Sequence, residues 1–399
     1  MAKNVTNTKR QIAYQKGLTP QHVNDLPTHV DQELKKIQSS IDQINGSVNP
    51  SDNTVGFKNR IFNGNIVIDQ LGIFSSAVDP NTISTSLPYL DMIYGNASQS
   101  GKMTLQVSSS NPVSGFPKYL AFTSTSNYTP ISTDAFDVQF PIEGMNIADL
   151  AWGTANAQAV TISFWVKSNN PGTWTGSIRN LPVAYSYPFT YTINSSGVWE
   201  YKSVTIPGPT VGTWTTDNSV GAIVTLDYGT GSTYLSSSNA TWVSGNYHGT
   251  QGSKNIVSTS GNYLHATGLQ LERGNTATNF DLRPISQEMK LCQRYLRKMT
   301  TGYVAVTNPG IFYDANNLRL LLNTDISTFR KYPSVIYTKG TQGTDWAIMN
   351  SSNVLQTGFT LTMVNGYVNA AKTTHGLTAG SLWVATSNGA VYLIDNIYS

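Results

Sequence analysis

The chain has 399 residues, 39% of them apolar and only 12% charged, with a net charge of +3. So little charge beside 21 Tyr, 13 Phe and 8 Trp excludes a disordered polyelectrolyte and argues against long helical bundles. The weak, dispersed positive charge gives no reason to expect a nucleic-acid partner, and no apolar run approaches the ~18 residues of a membrane span. What remains is rich in Ser, Thr, Asn and Gly with β-branched and aromatic residues, the composition of short strands joined by turns. The expectation is a mainly β protein.

Residues 1–27 are polar and basic (Lys3, Lys9, Arg10, Lys16) and show no period of 2 or 3.6. Two readings stand: a disordered tail, or an extended segment ordered against a larger partner. The opening MAKNVTNTKRQIAYQKG has no hydrophobic stretch behind its basic residues, so no secretory signal is expected and synthesis is expected in a cytoplasm. Thr28 then caps an amphipathic helix, with Asp31 and Glu33 in its first turn. Val30, Leu34, Ile37, Ile41 and Ile44 form a heptad seam, with Leu34 and Ile41 at a and the others at d, and Asn45-Gly46 closes it. β-branched residues at d favour three strands over two, so residues 28–46 are expected to be a short parallel coiled coil of a homotrimer. The alternative is a surface helix lying on its own domain. Residues 47–58 are a polar linker.

From 59 to 284, alternating segments such as Lys102–Val107, Tyr119–Thr123, Ala135–Pro141, Ala159–Lys167, Glu200–Ile206 and Val220–Leu226 are separated by Asn-, Gly- and Pro-rich turns. Strand after strand without helical crossovers predicts an antiparallel β-sandwich of jelly-roll type. In TISFWVKS, Ile162, Phe164 and Val166 alternate with Ser163, Trp165 and Lys167, which puts Phe164 on the inward face. Trp199, after an SSG turn, is expected in the core. Gln270 and Glu272 flank Leu271 and make one side of their strand polar, and Arg283-Pro284 is expected to end the last strand. Residues 285–299 predict a linking helix with Met289, Cys292 and Leu296 on one face. Cys292, the single cysteine, is then a small buried side chain rather than a reactive thiol, and neither an internal disulfide nor a Cys-based zinc site is expected. Residues 300–399 read β again, with strands at Tyr303–Thr307, Leu318–Asn323, Ser334–Thr338, Phe359–Val364, Leu382–Ala385 and Val391–Ile394, a second and smaller β-domain.

Several stretches resemble a known kind of protein. NRIFNGNIVIDQ (Asn59–Gln70) is similar to the opening strand of a β-sandwich in bacteriophage and prophage tail-fibre proteins. VTISFWVKS, SGVWEYKSVTIPGPTVGTW and TGLQLERGNTATNFDLRPISQEMKLCQRYL follow in the same order. The last is the most specific, with Gln270–Glu272, Gly274, Ala277–Phe280, Arg283-Pro284 and Cys292–Tyr295. The resemblance implies a jelly roll similar to galactose-binding and carbohydrate-binding modules, in a trimeric virion appendage that touches the bacterial surface. By position, residues 1–27 would dock to a tail or adaptor protein of the virion.

No constellation for catalysis emerges. The five histidines (22, 29, 248, 265, 375) show no metal-ligand spacing, and neither a nucleophile elbow nor a phosphate loop is present, so no metal and no cofactor are expected. Asp134, Asp137, Glu143 and Asp149 are the carboxylates that a polysaccharide-cleaving enzyme would have to pair. The turn DYGTGS (Asp227–Ser232) is a tight loop or, less simply, a calcium or sugar contact. Binding is better supported, because lectin-like sites join exposed rings to uncharged polar groups. Trp174, Tyr185, Tyr187, Tyr228, Tyr234, Trp242, Tyr247 and His248, read as loop residues, are the candidates for sugar contact; their alternative role is to cover the ends of the sandwich or a trimer interface. The function expected is a homotrimeric appendage protein in a virion, contacting a host surface glycan, with a purely structural virion component or a depolymerase as alternatives.

Overall fold

The described residues belong to the unit Lys58–Ser399. A computed structural model describes residues 58–84, 87–181 and 185–298, and beyond them the backbone of short strands. The tail of residues 1–27, the Val30–Ile44 seam and the 47–57 stretch of the linker lie outside the described residues.

Residues 94–273 fold into an antiparallel β-sandwich. In chain order its strands are β1 (Tyr94–Ala97), β2 (Met103–Ser108), β3 (Tyr119–Ser124), β4 (Phe136–Glu143), β5 (Val160–Ser168), β6 (Gly172–Arg179) and β7 (Tyr185–Ile193). There follow β8 (Glu200–Ile206), β9 (Val220–Asp227), the two-residue pieces β10 (Leu235–Ser236), β11 (Val243–Ser244) and β12 (Gly249–Thr250), and the long β13 (Tyr263–Arg273). One sheet has the order β1-β4-β9-β6-β7-β11 and the other β2-β3-β13-β5-β8. Hydrogen-bonded neighbours that are distant in sequence are what a jelly roll requires. The strands expected from alternation coincide with β2, β3, β4, β5, β8 and β9 to within two residues at each end.

The core lies between the sheets, where Phe122 of β3 stacks on Tyr228 at 4.5 Å and Phe164 of β5 meets Tyr191 of β7 edge-on at 5.1 Å. Phe164 is fully buried, as its alternation predicts. Trp199 departs from expectation. Tyr201 of β8 pairs with Trp165 of β5 on the outward side, so Trp199, two residues earlier, shares that outer face; its ring packs edge-on against Tyr119 at 5.2 Å.

The segment read as an aromatic loop, 174–188, is β6 and the first half of β7. Two features hide this. Gly176 interrupts the apolar series Trp174, Gly176, Ile178, and Pro188 stands inside a strand. Pro188 is tolerated because β11 pairs only with Tyr185 and Ser186, so from Pro188 onward that side of β7 is an edge. The Pro188 carbonyl there accepts the Ala240 N–H.

Residues before β1 and after β13 clamp the sandwich. Beyond Ala266 the β3 side of β13 is taken by the stretch from Asn59 to Gly64, where Arg60 N–H donates to Leu271 and Leu269 N–H to Gly64. The Asn59 side chain bonds Leu269, Leu271 and Ile61, and Asn63 bonds Ile68 and Asp91, which gives the Asn-rich opening motif a structural reason. β13 ends at Arg273, not at Arg283-Pro284: Arg283 is instead a buried clamp on Glu288 and the Asn59 carbonyl. The expected linking helix is shorter than its pattern. Helix α1 spans Ile285–Cys292, and Leu296–Met299 is a strand, β14, whose Leu296 pairs with Ile394. Cys292 is fully buried and burial pushes its thiol well up, so it is an unreactive packing group.

Among the later residues the backbone of nine strands is described, β15 (Ile311–Asp314) to β23 (Ala390–Ile394), in small antiparallel sheets. The expected strands at 318–323, 334–338, 359–364, 382–385 and 391–394 meet strands there; Tyr303–Thr307 lies outside the described residues.

Trp174 is fully buried, and its indole N–H donates to the Asn170 carbonyl. Trp174→Ala should therefore cost about 3–5 kcal/mol, read as a fall in the urea unfolding midpoint at unchanged slope.

Candidate functional site

The outer faces of the two sheets differ. The six-stranded sheet is roofed by the 228–257 excursion: Thr250 N–H donates to Thr175 Oγ1 of β6, and His248 Nδ1 sits 2.6 Å from Asp137 of β4. At its other end Glu143 is held by Arg294 and Tyr295 after α1. The middle of the five-stranded sheet's outer face is open, and there a cleft of ≈ 500 Å³ forms.

Its floor is Ser163 and Trp165 of β5, Tyr201 of β8 and Gly268 of β13; its wall is formed by Ser114 and Phe116 together with residues 277–280, the two stretches meeting at Phe116 and Phe280. Trp165 and Tyr201 are cross-strand partners with ring centres 5.4 Å apart, and Phe116 packs edge-on against Phe280 at 5.1 Å. Tyr201 is 43% exposed, and Phe116, Trp165 and Phe280 are half-buried.

Two devices on β13 build this shape. A bulge between Thr267 and Gln270 contains Gly268 at φ 66°, and a Cβ there would stand 2.7 Å from the Phe116 ring. Beyond the bulge, Gln270 and Glu272 turn outward against Ser163 and Thr161 and seize the wall. Glu272 accepts from both the N–H and the hydroxyl of Thr278; Gln270 accepts the Asp281 N–H and donates to the Thr278 and Asn279 carbonyls. The polar side expected from Gln270 and Glu272 is thus present, but buried under the loop it holds.

The expected sugar-contact residues lie elsewhere. Trp174 and Tyr228 are 0% exposed, and Tyr187 and His248 4%, so none presents a face to a ligand. Tyr185, Trp242 and Tyr247 are half-buried. Trp242 joins Trp152, Trp214 and Tyr187 in an aromatic cap and donates its indole N–H to the Pro207 carbonyl, the end-covering role weighed for it. Tyr234 stacks on His248. None of these residues lines the cleft. Its own rings were nevertheless marked in the sequence: alternation places Trp165 and Tyr201 opposite the core-facing set, and Phe280 ends the Ala277–Phe280 motif.

The four carboxylates considered for catalysis are held by other groups, and none lines the cleft. Asp134 accepts from Ser98, Gln99, Tyr128 and the Ile131 N–H, Asp149 from Arg60, and Glu143 from Arg294 and Tyr295. Burial works to raise Asp137, but His248, then Arg179 and Asn96, hold it below the usual carboxylate range. Asp227 lies directly across from Asp137. Burial, opposed by Thr230 and reinforced by the Asp137 charge, pushes Asp227 up to about 7. The Asp227 carboxylate also accepts the Thr230 N–H, which makes the DYGTGS turn a side-chain-locked loop. Among the described residues no group of His, Cys, Asp and Glu is arranged to hold a metal ion, and no helix is long and apolar enough to cross a membrane.

No protein-family model matches the chain, and no curated protein matches it. Among solved structures, the neighbours are β-sandwich domains of the carbohydrate-binding-module kind and a phage tailspike domain. A candidate sugar-binding protein of Bacteroides thetaiotaomicron is 8% identical over 54% of this chain and all of its own, with a TM-score of 0.31. TmCBM61, solved with β-1,4-galactotriose, is 14% identical over 54% of this chain and 99% of its own, with a TM-score of 0.26. The enzymatically active domain of tailspike protein 4 from bacteriophage CBA120 is 12% identical over 54% of this chain but 21% of its own, also at 0.26. At such scores the cleft has to be read from its own residues.

Two outcomes follow from the geometry. Gly268→Ala should cost about 1–2 kcal/mol and displace Phe116, seen as a lowered melting temperature together with changed near-ultraviolet dichroism. For Asp227, a pKa raised on folding means that the native state binds the extra proton between about pH 4 and 7, so stability is lost as pH rises through that window. Asp227→Asn should remove this dependence, and denaturant titrations should show its advantage over wild type to be larger at about pH 8 than at about pH 5.

Proposed function

We propose that the β-sandwich is a glycan-binding module and that the cleft on the five-stranded sheet holds the sugar. The observation that carries this reading is the convergence of Phe116, Trp165, Tyr201 and Phe280 around a floor and rim of Ser, Thr and Asn. A pyranose ring offers an apolar C–H face to such rings and a rim of hydroxyls to such polar groups. Partly exposed rings gathered in one concavity are costly unless something covers them. With the candidate carboxylates bound elsewhere, the site supports holding a sugar rather than cleaving it.

Together with the tail-fibre-like motifs, this supports a role as a bacteriophage appendage protein that contacts a host surface glycan. In that reading residues 1–27 dock to a tail or adaptor protein and the seam Val30, Leu34, Ile37, Ile41 and Ile44 joins three copies. Three weak sites on one rigid particle gain strength through effective concentration without any new contact. The two Phe rings, which bring no polar edge, favour a second reading: a structural virion component whose cleft packs against another virion protein.

A glycan array probed with the full chain separates the two. Selective retention of a glycan, weakened about tenfold or more in Trp165→Ala and Tyr201→Ala proteins with wild-type melting temperatures, is the expected result. No retention of any glycan by wild type would reject the first reading in favour of the second.

A further inference from the structure

Two residues beyond Trp165, on the same outward side of β5, stands Lys167. Its ammonium lies 4.9 Å from the centre of the Trp199 ring and 5.5 Å from that of Tyr119. Tyr119 also packs on His265 at 4.8 Å, and Tyr263 stacks on the far side of the group, 4.4 Å from His265. The result is a second aromatic platform beside the cleft with a cation held over it. Burial, then the Lys167 charge, pushes His265 down to about 3, so the imidazole is neutral near pH 7 and Lys167 supplies the charge.

No carboxylate pairs with Lys167 among the described residues. The acidic groups nearest the cleft are already engaged. Glu272 is taken by Thr278, Gln270 and Lys58, and Asp281 by the Asn59 N–H and Arg283. Burial also lowers the Lys167 pKa, the mark of an ammonium partly withdrawn from water with no anion to compensate it. An incoming anion would supply that compensation through a charge-assisted hydrogen bond. Alternate residues on a strand stand about 7 Å apart, so Lys167 is placed to meet the sugar adjoining one stacked on Trp165.

We propose that the cleft selects an acidic glycan, with a sugar ring stacked on Trp165 and Tyr201 and the carboxylate of a neighbouring uronate paired with Lys167. This deepens the glycan-binding reading and rests on it. The alternatives are a neutral glycan, with Lys167 serving only to cover Trp199, or no glycan at all.

Calorimetry with the full chain tests it, using oligogalacturonate, oligoglucuronate and alternating uronate–hexosamine oligosaccharides, each beside its carboxyl-reduced neutral counterpart. At least one acidic member should bind about tenfold tighter than its reduced form, and the margin should shrink as salt rises. Lys167→Met should erase that margin by lowering acidic affinity to the neutral level. Lys167→Arg should keep it, and Trp165→Ala should weaken both forms. Equal binding of acidic and reduced forms, or a margin that survives Lys167→Met, overturns the charge selection while leaving the glycan-binding cleft standing. Failure of every member to bind in either form rejects this inference, and an accompanying blank on the glycan array would reject the cleft reading with it.

Discussion

Two side chains on one strand hold the open face together. Gln270 and Glu272 point outward from β13, away from the core, and would be ordinary exposed polar residues if nothing lay above them. Instead they accept and donate hydrogen bonds to a loop that carries no strand pairing of its own, and so convert it into a wall. Their desolvation is offset because each oxygen and nitrogen involved finds a backbone or hydroxyl partner. Phe280 lies at the end of the stretch so held and meets Phe116 edge-on. The stretch from Gln270 to Asp281 is therefore first a structural device and only through that a functional one.

The opposite face shows what happens when polar residues are sealed rather than exposed. Asp137, Asp227, His248, Arg179 and Thr175 lie under the 228–257 excursion, where Asp137 meets His248, Asp227 accepts from Thr230, Arg179 donates to Asn246 and Thr175 bonds Thr250. Such groups fix which strand lies beside which, but at a cost that grows when any one partner is removed. The two sheets thus divide their labour: one carries a locked polar interior beneath a roof, the other an aromatic surface left uncovered at its centre.

Much of this was legible in the sequence. The mainly β class, the strand positions from β2 to β9 that show clean alternation, the inward Phe164 and the buried Cys292 all follow from period and composition. Trp165 and Lys167 were legible too, since alternation set them opposite Phe164. What misled was density. Trp174, Tyr185, Tyr187, Trp242 and Tyr247 cluster in sequence between Gly, Pro and Ser, which looks like a decorated loop; Gly176 and Pro188 disguised two strands whose large rings fill the core. Phe116 and Phe280, 164 residues apart, carried no local signal that they would meet, because only the bulge at Gly268 and the grip of Gln270 and Glu272 bring them together. The helix that stopped at Cys292 shows the same limit, since the strand partner that captures Leu296 lies a hundred residues further on.

The cleft's base and its rims have different origins in the chain. The base belongs to paired strands, where any change disturbs the sandwich itself. The rims come from two connecting stretches that contribute nothing to sheet pairing. Variation can therefore accumulate at the Ser114–Phe116 border, while the 277–280 border stays tied to Gln270 and Glu272 and the stacking platform stays constant, so related chains would keep the same way of gripping a ligand while differing in which one they accept.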